Sequence, residues 1–394
     1  MKTQIIIWIA IALSRCASSP PAPIPVESDL EGTARLIEDC LGLDPERCGI
    51  LVEEASADNE QLWVSEAQRE CTDGSIEICN FLGFLYNHGV GPIAEDKTEA
   101  ASLYRQACEG GLPDSCISLG EMYRFGTGGL AADEYRAVDL YRVACDGGSA
   151  SGCSSLGMMY SGGLGGLEED DYRAVDLLRF GCDGGSISGC AVLGTMYQYG
   201  RGGLEPDDYM AQDLFRWSCE WEYARACTDL GFMYESGRGG VDRDIDRALK
   251  LYRAGCEGGN AHGCGNLGVM YMRGDAGLEP DDYRAVELLV GACEEGSALS
   301  CGNLAYMYLN GRGGLEVDND QAKELYRRSC LGDIGPSCRN LAVLHLREPV
   351  AVEPGNEIVV QDLFRGCEVG YAPACEAIGT GGRKAPGDGD PIGQ

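Results

Sequence analysis

Twenty of the chain's 21 cysteines stand in pairs eight residues apart: Cys40 and Cys48, Cys71 and Cys79, Cys108 and Cys116, Cys145 and Cys153, Cys182 and Cys190, Cys219 and Cys227, Cys256 and Cys264, Cys293 and Cys301, Cys330 and Cys338, Cys367 and Cys375. Such pairs could form structural disulfides, bind a metal or act as redox thiols. Metal sites usually use CxxC or mixed Cys/His clusters, and here no CxxC occurs and the three histidines, His88, His262 and His345, are scattered. Redox thiols need basic neighbours to lower their pKa, and none recurs beside the cysteines. The disulfide reading is favoured. If the first cysteine ends one helix and the second opens the next, a turn such as CDGGSASGC (145–153) brings the sulfurs together. Even parity, with Cys16 as the odd one, agrees. In the chain-entropy model each closure is worth roughly 2.6 kcal/mol.

Other chemistry is sparse. A serine β-lactamase needs S-x-x-K and K-T-G, and none of the five lysines (Lys2, Lys97, Lys250, Lys323, Lys384) completes either. There is no HExxH, and no catalytic residue, metal ligand or cofactor is expected. The GTGGL and GRGGL loops lack the P-loop lysine and follow a helical pattern, so they are read as turns. The acidic loops LEEDDY (167–172) and LEPDDY (204–209 and 278–283) lack the alternating D-x-D-x-D-G spacing that wraps calcium, and helix capping accounts for acids there.

The elements that must hold the cysteines follow from the period. From Cys71 onward each pair follows the last by 37 residues without insertion or deletion, the signature of a solenoid. Within one unit, CISLGEMYRF has helical apolar spacing and stops at Gly126. EYRAVDLYRVAC is a second helix, capped by Asp133 with Glu134 in its first turn. The fold class is therefore all-α, an α/α solenoid of about nine helix pairs. Leu recurs three residues after each unit-opening cysteine and Gly or Ala at the fourth, which predicts close approach of neighbouring backbones there. Trp63 and Val359, standing where other units carry Ala, mark terminal caps, as does REPVAVEP (347–354) in place of the loop glycines.

The ends and the charge bound location and partners. One lysine precedes nine apolar residues, Ile5 to Leu13, in the layout of a signal peptide too short to span a bilayer. The expected organisation is a signal over 1–16, a Pro/Ser-rich tether over 17–28, a capping repeat over 29–79, the solenoid over 80–377 and a disordered tail over 378–394. Leu13-Ser14-Arg15-Cys16 resembles a bacterial lipobox, with Arg15 where Gly, Ala or Ser is usual, so lipidation of Cys16 with a membrane anchor and ordinary cleavage both stand. With 63 acidic against 31 basic residues and a net charge of −32, nucleic acid is excluded as a partner.

The motif L-G-x-M-Y-x-x-G-x-G-G followed by R-A-V-D-L-Y-R-x-A-C resembles the Sel-1-like repeat family, relatives of the tetratricopeptide repeats. The cysteine spacing is similar to its cysteine-rich, exported bacterial branch, called Hcp-type. The resemblance spans Cys71 to Cys375. It implies a right-handed superhelix with one disulfide per repeat, a monomer in the periplasm, on the outer membrane or secreted, acting as a scaffold for a protein or peptide partner. Some members carry a β-lactamase label, so weak penicillin binding or hydrolysis is the alternative, and bridging of envelope proteins is a third.

A helical wheel on the first helix of each unit places the cysteine and positions three, four, six and seven after it on the core face. Positions two, five and nine fall opposite. In tetratricopeptide-like solenoids the first helices line the concave surface, so an apolar fifth position, including Phe84, Phe232 and Tyr306, implies a peptide groove. Packing against the next unit is the other explanation. Asn266, Asn303 and Asn340 at position two could hold a peptide backbone, and Arg273 and Arg347 at position nine a carboxylate.

Overall fold

A computed structural model describes residues 60–90, 93–347 and 357–379. The expectations for the signal, the tether, Cys16, the Cys40/Cys48 pair, the 348–356 loop and the tail beyond 379 lie outside these residues. All described secondary structure is helical, in two compact units divided after Asp170. The first holds α1 (Glu60–Thr72), α2 (Ile76–His88), α3 (Lys97–Glu109), α4 (Pro113–Phe125), α5 (Glu134–Asp146) and α6 (Ala150–Gly162). The second holds α7 (Asp171–Asp183), α8 (Ile187–Tyr199), α9 (Asp208–Glu220), α10 (Ala224–Ser236), α11 (Ile245–Glu257), α12 (Ala261–Arg273), α13 (Asp282–Glu294), α14 (Ala298–Asn310), α15 (Asn319–Leu331), α16 (Gly335–Leu346), α17 (Glu357–Glu368) and α18 (Ala372–Ala377), with a single 3-10 turn at Asp275–Gly277. These are the repeated helix pairs of a solenoid, eight complete among the described residues. The even-numbered helices open a repeat and the odd-numbered ones close it.

Local chemistry sets the boundaries. Closing helices start on an aspartate whose carboxylate accepts backbone N–H bonds: Asp133 from Arg136, Asp244 from Arg247, Asp281 from Arg284. Several opening helices use Ser149, Ser186, Asn260 or Ser297 in the same way. Opening helices from α2 to α14 stop at a glycine in the left-handed region, such as Gly126 at φ 64°.

Nine disulfides join the described pairs, with Cα atoms 4.4 to 4.8 Å apart. Each opening helix begins three residues before its cysteine, so the bridge links the last turn of one helix to the first turn of the next rather than their tips.

At four positions the recurrent glycine meets a side-chain ring instead of the expected backbone, while at Gly268 the Ala285 carbonyl comes within 3.3 Å of an added Cβ. At Gly120 an added Cβ would lie 2.7 Å from the ring of Tyr141, and at Gly83, Gly194 and Gly231 it would lie 2.9 Å from Tyr104, Phe215 and Tyr252. An aromatic side chain of the closing helix seats itself on the bare backbone of the opening helix. These rings and the methionines beside them form the core: Tyr141, Phe215, Tyr252, Met196, Met233 and Met307 are all buried.

Candidate interaction surfaces

The core face agrees with the helical wheel. In α10, Cys227, Leu230, Gly231, Met233 and Tyr234 are buried. At position five Phe232 and Tyr306 are 45% and 43% exposed and the other apolar residues are half-buried, while position nine is exposed in every described repeat. Phe84 in the first unit is half-buried, packs on the core around Leu82 and Leu85, and has its ring 4.7 Å from that of His88. Position two is not a solvent face. Phe81 is buried, Asn266 and Asn303 are half-buried, and only Asn340 is exposed. The reason is lateral packing, since neighbouring opening helices such as α12 and α14 touch and cover each other's flanks. Arg273 and Arg347 lie exposed at the ends of their helices. The three asparagines share one register on α12, α14 and α16, one turn N-terminal to that of Tyr306.

Polar groups along these helices are crowded. Burial pushes the Glu121 carboxyl above its ordinary value, with Arg124 acting against it. Burial likewise raises Asp229, opposed by Arg225 and His262. The Tyr141 hydroxyl is pushed up to about 12, chiefly by burial and then by Glu121. Tyr252 is raised by burial and donates to Glu235 at 2.6 Å. Glu121 and Tyr141 belong to the first unit, and Asp229, Glu235 and Tyr252 to the second. No group of three His, Cys, Asp or Glu side chains able to hold a metal occurs among the described residues.

A second set of polar contacts runs along the loop edge, and the sequence reading missed it. Arg201, Arg238 and Arg312, the arginines of the GRGG loops, form bidentate pairs with Asp171, Asp208 and Asp282 of the preceding repeat. The signal was present as an Asp and an Arg recurring 30 residues apart in three repeats. The acids of the DDY loops are therefore divided in role: Asp207 and Asp281 cap, while Asp208 and Asp282 tie repeats together. Glycine is required in the same loop. Gly128, at φ 64°, would carry a Cβ 2.5 Å from the Lys97 carbonyl.

Comparison with known proteins agrees with this architecture. The Sel1 repeat family model matches residues 77–112, 113–149, 150–186, 187–220, 224–260, 261–297 and 298–333. The chain is similar to c5321 of uropathogenic Escherichia coli, a protective antigen displaying an SLR fold, with 25% identity and a TM-score of 0.51 over 90% of this chain and 74% of that one. It also shares its fold with a Sel1 repeat protein of Oxalobacter formigenes, at 22% identity and a TM-score of 0.50, covering 67% of this chain and 97% of that one. No curated protein matches it. With seven matched repeats tiling the helix pairs in register with the disulfide turns, the chain belongs to the Sel1 repeat family.

Proposed function

We propose that this chain is an exported, disulfide-stabilised scaffold that binds a protein or peptide partner at the bacterial envelope and has no catalysis of its own. The observation that carries the reading is the exposure of Phe232 and Tyr306 at one register of the opening helices, where the residues on either side are buried. Large aromatics held on rigid helices are the usual anchors of protein interfaces. Asn266, Asn303, Asn340, Arg273 and Arg347 would supply polar contacts around them, with Phe84 contributing in the first unit. Nine disulfides among the described residues fit an oxidising compartment, and no described helix is long and apolar enough to cross a membrane. Attachment through lipidated Cys16 would place the scaffold on the membrane surface.

The test is site-specific photocrosslinking in the envelope of the producing cell, from probes at Phe232 and Tyr306 and, as a control, at Asp139. A partner captured from the first two positions only, and lost in a Phe232→Ala/Tyr306→Ala variant of unchanged melting temperature, is the expected outcome. Equal capture from Asp139 would overturn the reading. Nitrocefin turnover that tracks the protein through purification would replace it with the hydrolase reading.

A further inference from the structure

The loop edge carries a feature that the helix face does not explain. In the second unit Tyr172, Tyr209 and Tyr283, each the second residue of its helix, are 70%, 69% and 73% exposed. Each ring lies against a loop glycine of the following repeat: Gly203, Gly240 and Gly314, all at positive φ, where an added Cβ would strike the ring. The contact pins one part of the tyrosine and leaves most of it facing water. Two residues beyond each of these glycines stands an exposed acid: Glu205, Asp242 and Glu316. The first unit repeats the arrangement with Tyr135, Gly166 and Glu168. Where Thr98 replaces the tyrosine against Gly129, the acid is absent too, as Ala131. Where Asp246 replaces it, Glu279 keeps the acid.

Packing accounts for the tyrosine and glycine but not for the carboxylate. Glu205, Asp242 and Glu316 have no ion-pair or hydrogen-bond partner among the described residues. Elsewhere the chain covers tyrosine rings with its own arginines: Arg136, Arg247 and Arg284 lie 5.2, 5.3 and 5.4 Å from the ring centroids of Tyr123, Tyr234 and Tyr271. The edge tyrosines lack such a cover and carry a carboxylate instead. An aromatic ring fixed against a loop glycine, with an unpaired acid two residues further along the same loop, suits a cation, and the net charge of −32 attracts one over distance.

We propose that this edge docks a lysine- or arginine-rich segment of a protein partner, extended across successive repeats, each tyrosine taking one cationic side chain with the neighbouring loop carboxylate alongside. This proposal does not rest on the Phe232/Tyr306 reading.

Calorimetric titration of the full-length oxidised protein with a synthetic Lys-Gly repeat peptide, at about 0.1 M salt, tests the proposal. Two edge variants are compared with wild type, Tyr172→Ser/Tyr209→Ser/Tyr283→Ser and Glu205→Gln/Asp242→Asn/Glu316→Gln. A control variant, Glu220→Gln/Glu257→Gln/Glu294→Gln, removes the same charge elsewhere. Both edge variants are expected to bind about tenfold or more weakly, with the control and Phe232→Ala/Tyr306→Ala within about twofold of wild type. The acid variant keeps the test valid if removing the tyrosines unfolds the protein. Equal losses in the edge-acid and control variants would reduce the effect to net charge and sink the proposal. So would wild-type affinity in the acid variant, or no binding by wild type.

Discussion

The guanidinium of Arg312 grips both carboxylate oxygens of Asp282 in the preceding repeat, with Nε 2.8 Å from Oδ2 and Nη2 2.6 Å from Oδ1. The pair is about two-thirds shielded on each side, so it is screened less than a surface ion pair. Arg312→Leu should lower unfolding stability by about 1–2 kcal/mol. The charge-swapped double variant Arg312→Asp/Asp282→Arg should recover part of that loss. Urea denaturation at low and high salt checks both, and a loss independent of salt would argue against an electrostatic origin.

Among the described junctions of the second unit, the same contact is missing at one. Asp275 and Ile245 occupy the positions held elsewhere by Arg and Asp, Ala276 sits at φ 56° where the other loops have glycine, and the loop reforms as a 3-10 turn. Gly202→Ala, at a position where a Cβ would strike the Asp171 carbonyl, is expected to cost about 2 kcal/mol or more. Ala276→Gly should be neutral or stabilising by up to about 1 kcal/mol. Hydrogen exchange across residues 245–277 should show this junction opening first. Uniform protection across all junctions would contradict the assignment.

Acid sensitivity should begin at the C-terminal end. Asp362 is buried, which pushes its carboxyl up, but hydrogen bonds from His345 at 2.9 Å and from Arg327 outweigh burial and hold it below the usual aspartate value. Its contribution is therefore present above the unfolded aspartate pKa of about 3.9 and is lost as pH falls through the lower folded value. In Asp362→Asn the exchange of α16 and α17 should already be faster than wild type at neutral pH and should approach the wild-type rates as pH falls below about 3.9. Identical acid profiles would rule out this role.

The disulfide turns should resist thiol reagents until reduced. Alkylation under denaturing, non-reducing conditions, read by intact mass, should leave all eighteen cysteines of the described pairs unmodified. Reduction should lower the thermal midpoint in proportion to the number of bridges opened, since each contributes roughly 2–3 kcal/mol. Free thiols in the oxidised protein would overturn the pairing.

The sequence by itself determined the period, the helix pairs and the cysteine pairing, because each is a local matter. Gly126 stops a helix, Asp133 starts one, and a turn between two cysteines eight apart leaves them little choice of partner. The helical period also sets Phe232 and Tyr306 opposite the buried face, and both side chains are partly exposed. What it could not supply is which surfaces neighbouring repeats cover. Asn266 and Asn303 share the wheel face of Phe232, yet lateral packing half-buries them. Glycine at Gly231 is legible as a close approach, but only the packed helices reveal that Tyr252 is what approaches. The Arg312–Asp282 bridge and the Tyr283–Gly314 contact join residues about 30 apart. Such pairings depend on the stacking of one repeat upon the next, which the tertiary structure alone decides.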